Sequence, residues 1–299
     1  MLPSTNVGNV EGTNIQLAPV HPQRRKRFTI DTVIHYWIAV VLVAGMAFPL
    51  CWMLYSSLKT NREIFASPFA LPQRMRLGHF VEAWQVGNLG RFYLNSIFVT
   101  LTSVVIIVTV SSLAAYAFAR FTFKGRDVLY YTFLIGLMLP PQVVIIPLYI
   151  LLRDLNMLNT YWSLILPYSA WSLSVSIFLL RSFYLTLPGE LEDAAKIDGA
   201  SLFQTFRLVM LPLIRPALVT VVVLNIVNLW NEFLFALLFI QDEARRTLPA
   251  GMLNFYGYHQ VDYRLVFSGL SIVTIPILIA FFFFQKQVIN GLTISGVER

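Results

Sequence analysis

Charge is scarce in this sequence. Charged residues fill 12% of its 299 positions and hydrophobic ones 57%, and the mean hydropathy is +0.67. A soluble domain is about 25% charged, and without those charges a chain this long would expose apolar patches that soluble monomers avoid. A soluble enzyme and a disordered protein are both excluded, leaving an integral membrane protein. Cysteine occurs once, at Cys51, so neither an intrachain disulfide nor a zinc knuckle can form. Inside its apolar run Cys51 reads as a small buried packing residue. There is no GxxxxGK[ST] phosphate loop, no H-E-x-x-H and no G-x-S-x-G, so neither ATP hydrolysis nor another catalytic constellation is expected of this chain. His21, His35, His79 and His259 are scattered over a tail, a span and two loops, which is not a metal site. No cofactor is expected on the chain. Basic residues outnumber acids to give +7. They are not interleaved with aromatics on a polar background, so nucleic acid is not an expected partner. In a membrane protein such a surplus anchors cytoplasmic loops and meets anionic lipid.

What is present is long apolar runs. The charges cut the chain into six of them, predicting spans at about 33–57, 93–119, 128–152, 160–180, 216–240 and 265–285 within a transmembrane domain of 31–287. A helix needs about 20 such residues to cross the hydrocarbon core, and the runs lack the alternation of a membrane β-barrel. The expected class is an all-α integral membrane protein with six transmembrane helices. The first run is too long for a signal-peptide core and lacks a small-x-small cleavage site. Residues 1–30 and 288–299 read as polar tails. Six spans put both termini on one side, and the cluster Arg24, Arg25, Lys26 and Arg27 places that side in the cytoplasm.

Most segments between the runs are short, but 188–215 is not. Glu190, Glu192, Asp193 and Asp198 crowd together there. Pro188 can open a helix, the acids suit its positive end, and Gly199 can close it. Leu202, Phe203, Phe206, Val209 and Met210 then recur at helical spacing, and Pro212 and Pro216 punctuate the entry to the next run. Two short helices joined by a glycine would form a knob by which a partner could move the spans. The alternative is an amphipathic loop lying on the headgroups.

Polar residues inside the runs are candidates for function. Glu232, with Asn228, Trp230 and Asn231 beside it, could line a substrate path or gate; the alternative is a helix–helix hydrogen bond or an ion pair with Arg245 or Arg246. Pro140, Pro141 and Pro147 should break the third span, which is tolerated where the break lines a cavity or is covered by protein, and Gln142 could then face a polar path; the alternative is a packing kink with no solute contact. Asn95 and Ser96 read as interhelical bonds, and Phe281 to Phe284 as a lipid or helix contact.

The stretch DAAKIDG…VMLP resembles the EAA loop of ATP-binding-cassette importer permeases. Asp193, Ala194, Ala195, Gly199, Val209, Leu211 and Pro212 stand at the motif's positions, with Asp for Glu and Val for Ile as the departures. Asp193 is one methylene shorter, so Glu192 is a rival for the contact. SLKTNREIF, YAFARFTFKGR, MLPPQVVIIPLY, WNEFLFAL, RTLPAGM and the ending GLTISGV are similar to the carbohydrate-uptake, maltose-transporter-like branch. The resemblance implies a cytoplasmic helix-turn-helix coupling loop that docks on a separate ATPase, and a permease subunit working by alternating access in a bacterial or archaeal cytoplasmic membrane. It implies as partners a second permease, an ATP-binding subunit dimer carrying ATP and Mg, and an extracytoplasmic solute-binding protein. The same architecture also carries glycerol phosphate or polyols, and a secondary transporter is the more distant rival.

Overall fold

The computed structural model describes residues 30–256 and 261–294, and these are helical apart from loops and an isolated antiparallel bridge between Tyr256 and Val261. The expected tail at 1–30 lies almost wholly outside the described residues, as do the side chains of 288–299. The chain divides into two compact units, residues 1–49 and 50–299. The described part of the first is the start of helix α1 (Ile30–Ser56), whose apolar residues, Trp37 and Val41 among them, are exposed.

The second unit continues through short helices α2 (Asn61–Ala66) and α3 (Gly78–Val86), the long α4 (Leu89–Arg120), then α5 (Arg126–Ile135) and α6 (Pro141–Asp154). There follow α7 (Trp162–Thr186), α8 (Glu190–Ile197), α9 (Leu202–Leu213, with a π-helical turn over Thr205–Met210) and α10 (Arg215–Trp230). The short α11 (Leu234–Phe239) and α12 (Leu248–Gly251) lead to α13 (Tyr263–Ile294).

Among the described residues four helices are long and apolar enough to cross a membrane, namely α1, α4, α7 and α13; a fifth is reached if α9 and α10, bent by 76° at Ile214, count as one. The two remaining expected runs are interrupted. Residues 128–152 become α5 and α6, and 216–240 become α10 and α11. At 1.5 Å per residue α10 is about 24 Å long, short of the ~30 Å core. The proline expectation needs one correction. The third run breaks over Gly136–Pro140, with Pro140 and Pro141 starting α6, but Pro147 lies inside an unbroken α6. Its missing N–H removes one rung and leaves the helix intact. Cys51 is a second correction, being exposed on α1 and not buried, because an apolar run in lipid needs no protein cover.

The bundle is organised around α4 against α7. Small buried residues, Ser103, Ser111 and Ala115 on α4 and Ser172 and Ser176 on α7, allow close approach. Ser96 ties α4 to the short helix α12, whereas Asn95 ties it to the segment before α12 and to Tyr161 at the start of α7. Asn95 donates to the Ala244 and Arg246 carbonyls and accepts from Tyr161, and Ser96 accepts from the Leu248 N–H at 2.7 Å. One core cluster joins Phe92, Trp230, Leu248, Met252 and Leu265. In it the Phe92 ring lies directly on Gly251, where a β-carbon would stand 2.1 Å from the ring. Phe282 and Phe283 are exposed, as a lipid-facing run requires.

The SLKTNREIF segment folds as a polar clasp within the second unit. Buried Lys59 donates to the Ser67 and Pro68 carbonyls, and buried His79 meets the Ser57 carbonyl at 3.1 Å. Arg264 makes a two-pronged bond to Glu82 at 2.7 and 2.9 Å. Thr60 and Glu63 form a capping box at the start of α2, with Arg76 2.9 Å from Glu63. The Thr60 backbone N–H above all, then its hydroxyl and Arg76, hold the Glu63 carboxyl below its ordinary range. A carboxyl depressed in the folded state contributes stability above its unfolded pKa and loses it as pH falls through the folded value. The thermal midpoint of the protein is therefore expected to drop on acidification below about pH 4.3, the unperturbed Glu value. Glu63→Gln should flatten that part of the profile, measured by thermal melts across pH.

Candidate functional site

The segment 188–215 folds as two short helices meeting at a glycine. Gly199 has φ +80°, a conformation that glycine adopts without penalty. Its N–H bonds the Lys196 carbonyl at 3.0 Å while the Ala200 N–H reaches Ala195 at 2.9 Å, the paired closure of a Schellman turn. Ser201 then caps α9, exchanging bonds with Gln204. The inner face of α9 is seated firmly: Phe206 and Met210 are buried among Tyr116 of α4 and Tyr184 of α7, and the Tyr116 and Phe206 rings lie 5.3 Å apart. Leu202 and Phe203, expected on that apolar face, are exposed, as is Ile197 at 86%. Leu211 is half-buried and Pro212 exposed.

The two neighbouring acids have opposite fates. Glu192 turns inward, 3.2 Å from the Arg120 guanidinium at the end of α4, each side chain 13% exposed. The two charges are paired by proximity and not by an aligned hydrogen bond, while Arg120 donates to the Leu187 carbonyl at 2.6 Å. Asp193 points outward, 72% exposed, with Lys196 of its own helix at 3.0 Å. Ala194 is exposed and Ala195 buried. Removing one partner of a well-covered pair strands the other, so Arg120→Ala should destabilise by about 3 kcal/mol. The Arg120→Ala/Glu192→Gln double mutant should be less destabilised than the sum of its singles. Thermal melts of the four proteins decide this, and strict additivity would show that the pair is idle.

The intramembrane polar residues separate differently. Gln142, Asn228 and Glu232 line one cavity of about 560 Å³, between the start of α6 and the facing sides of α7 and α10. Tyr168, Trp171, Ser172, Ser176, Asn225 and Phe235 add to its polar and aromatic lining, and these the sequence reading did not single out. A helical face would have found them: Tyr168, Ser172 and Ser176 recur every four residues, and Asn225, Asn228 and Glu232 fall three and four apart. Glu232 accepts from the Tyr168 hydroxyl and from the Phe235 and Ala236 N–H groups that begin α11. A hydrogen bond to α7 is therefore present, but it is made from the break between α10 and α11 and not from within a helix. The ion pair is not formed: Arg245 is engaged with Asp242 and the Asn159 carbonyl, and Arg246 with Asn254. Trp230 and Asn231 lie off the cavity. Trp230 packs against Tyr93 and donates to Val273, and Asn231 bonds its own helix at Val227. Among the described residues no three His, Cys, Asp or Glu side chains gather in a metal-binding group.

Residues 107–293, which include the knob, both interrupted spans and the cavity, match the family described as "Binding-protein-dependent transport system inner membrane component". The chain belongs to this family. It is a permease, a membrane subunit of an ATP-binding-cassette importer without catalytic activity of its own. It is 40% identical over 275 residues to the probable ABC transporter permease protein YurM of Bacillus subtilis, covering 92% of this chain and 91% of the relative. It is 34% identical to the diacetylchitobiose uptake system permease protein NgcG of Streptomyces coelicolor, covering 86% and 84%. Its fold is similar, at TM-score 0.75, to a chain in the crystal structure of a bacterial ABC transporter involved in import of the acidic polysaccharide alginate, with 19% identity and 90% and 99% coverage.

Proposed function

We propose that this permease forms half of a membrane path for carbohydrate uptake and is moved by a partner ATPase gripping the 188–215 knob. The cavity carries the proposal. Amides, hydroxyls and three aromatic side chains meet in a volume of about 560 Å³, within the roughly 300–1,000 Å³ of small-molecule sites, and that mixture of groups suits a sugar. The uptake system of the Streptomyces relative supports the substrate class. On this reading α5 with α6 and α10 with α11 complete six crossings, each break being covered by protein or facing the cavity. Both termini lie in the cytoplasm. Asp193, Ala194, Gly199 and the exposed Ile197 form the face offered to the ATPase, with Ala195, Leu211 and Pro212 setting its frame, and Glu192 holds the knob to α4. The assembly contains a second permease, an ATPase dimer carrying ATP and Mg, and an extracytoplasmic solute-binding protein.

The test is purification of the tagged permease from its native membrane in mild detergent. A second permease and a P-loop ATPase should co-purify, and the reconstituted complex should move a sugar only with ATP. The chain alone moving solute without ATP would sink the proposal.

A further inference from the structure

We infer that the cavity selects by charge: it admits uncharged or amino sugars and rejects sugar acids, sugar phosphates and sulfonates, with the Glu232 carboxylate as the discriminating group. The inference rests on the reading of this cavity as part of the solute path and adds a substrate class to it.

Three observations carry it. First, among the described residues Glu232 is the sole ionisable lining group other than the Tyr168 phenol, and no lysine, arginine or histidine is among these lining residues. Second, the carboxylate is locked in place. One oxygen accepts from the Phe235 N–H at 2.8 Å, and the other from the Tyr168 hydroxyl and the Ala236 N–H. Both oxygens act only as acceptors, the bonding of an ionised carboxylate, and a negative group suits the amino end of α11. All three of these donors are neutral groups. Third, no hydrogen bond to the described residues engages Gln142, Asn228 or the Trp171 indole N–H, so uncommitted neutral groups remain for hydroxyls. A sugar hydroxyl finds partners there. A uronate or phosphate would lose water and meet a fixed like charge in a low-dielectric setting, where repulsion is strong. The fold does not decide this property, since a structural neighbour serves an acidic polysaccharide. The lining decides it.

The test reads local charge without needing the natural solute. The exposed Cys51 is replaced in Cys51→Ser and a reporter added as Asn228→Cys. The assembled importer is then treated, in permeabilised membrane vesicles, with cationic, neutral and anionic methanethiosulfonates. Each rate is divided by that of the same reagent with a free small thiol. The expected result is a cation-over-anion preference on the order of tenfold, because charge within a low-dielectric cleft concentrates counter-ions by about that factor or more. Glu232→Gln should reduce it below about threefold, and Glu232→Asp should keep it. If Glu232→Gln fails to assemble, the preference in the Asn228→Cys protein decides alone. Equal corrected rates, or an anion preference, would overturn the inference while leaving the solute path intact. No modification by any reagent would show that Asn228 is sealed against lipid or the second permease, which overturns the path itself.

Discussion

Gly251→Ala is expected to cost this permease a large part of its folded stability, although it adds a single methyl group. The new β-carbon would stand 2.1, 2.5 and 2.7 Å from three atoms of the Phe92 ring, far inside van der Waals contact. Neither side can yield cheaply. Phe92 is fully buried beside Leu89, Leu248 and Met252. The backbone of α12 is pinned by the Gly251 N–H to Thr247 at 2.8 Å and by the Leu248 N–H to Ser96 at 2.7 Å. Overpacking of a well-filled core costs about 1–3 kcal/mol, and this case belongs at the upper end because ring and backbone are both fixed. Phe92→Leu opens the space the methyl needs while leaving a cavity of its own. The double mutant should therefore lose less than the sum of the singles, by on the order of 1–3 kcal/mol. Melting the four proteins in detergent measures this directly. An unchanged midpoint for Gly251→Ala would mean that α12 is free to move away from α4.

The same residues show how much was legible beforehand. The apolar runs marked α1, α4, α7 and α13 without help, because a span advertises itself by what it lacks. Pro140 and Pro141 marked the start of α6, since the first lacks a donor that an interior position needs and the second fits a first turn. Pro147 could not be told from them by composition alone. Around Glu232 adjacency in sequence misled. Trp230 and Asn231 are its neighbours along the chain, but each residue of a helix turns by about 100°, so they face α13 and the surface while Asn228 and Asn225 share the cavity with Glu232. Tyr168, Ser172 and Ser176 passed unnoticed because hydroxyl residues are ordinary components of a span. In the knob, Gly199 and the two helices were readable from turn chemistry. The division of labour between Glu192 and Asp193 was not, since it depends on Arg120, which the fold brings from the far end of α4.

Gly199→Asp is expected to leave insertion intact and to reduce ATP-driven uptake at least tenfold, while ATP hydrolysis in the complex continues without solute control. A β-carbon at this position meets nothing within 4 Å, so the bundle has no reason to notice the change. Two effects remain, both confined to the knob. A side chain in the left-handed region costs roughly 1–2 kcal/mol, with Asn and Asp the best tolerated, which weakens the turn holding α8 against α9. The new carboxylate also joins Glu190, Asp193 and Asp198 on an exposed face, where like charges disfavour both the turn and any docked surface matched to the present pattern. Gly199→Asn separates the two, because it carries the shape without the charge. If surface charge governs the grip of the ATPase, the Asn protein should transport within about threefold of normal, this being the smaller part of the turn penalty, and the Asp protein should not. If both fail together, the left-handed turn itself transmits the motion. Normal uptake by the Asp protein would remove the knob from the drive train, and the ATPase would have to hold this permease elsewhere.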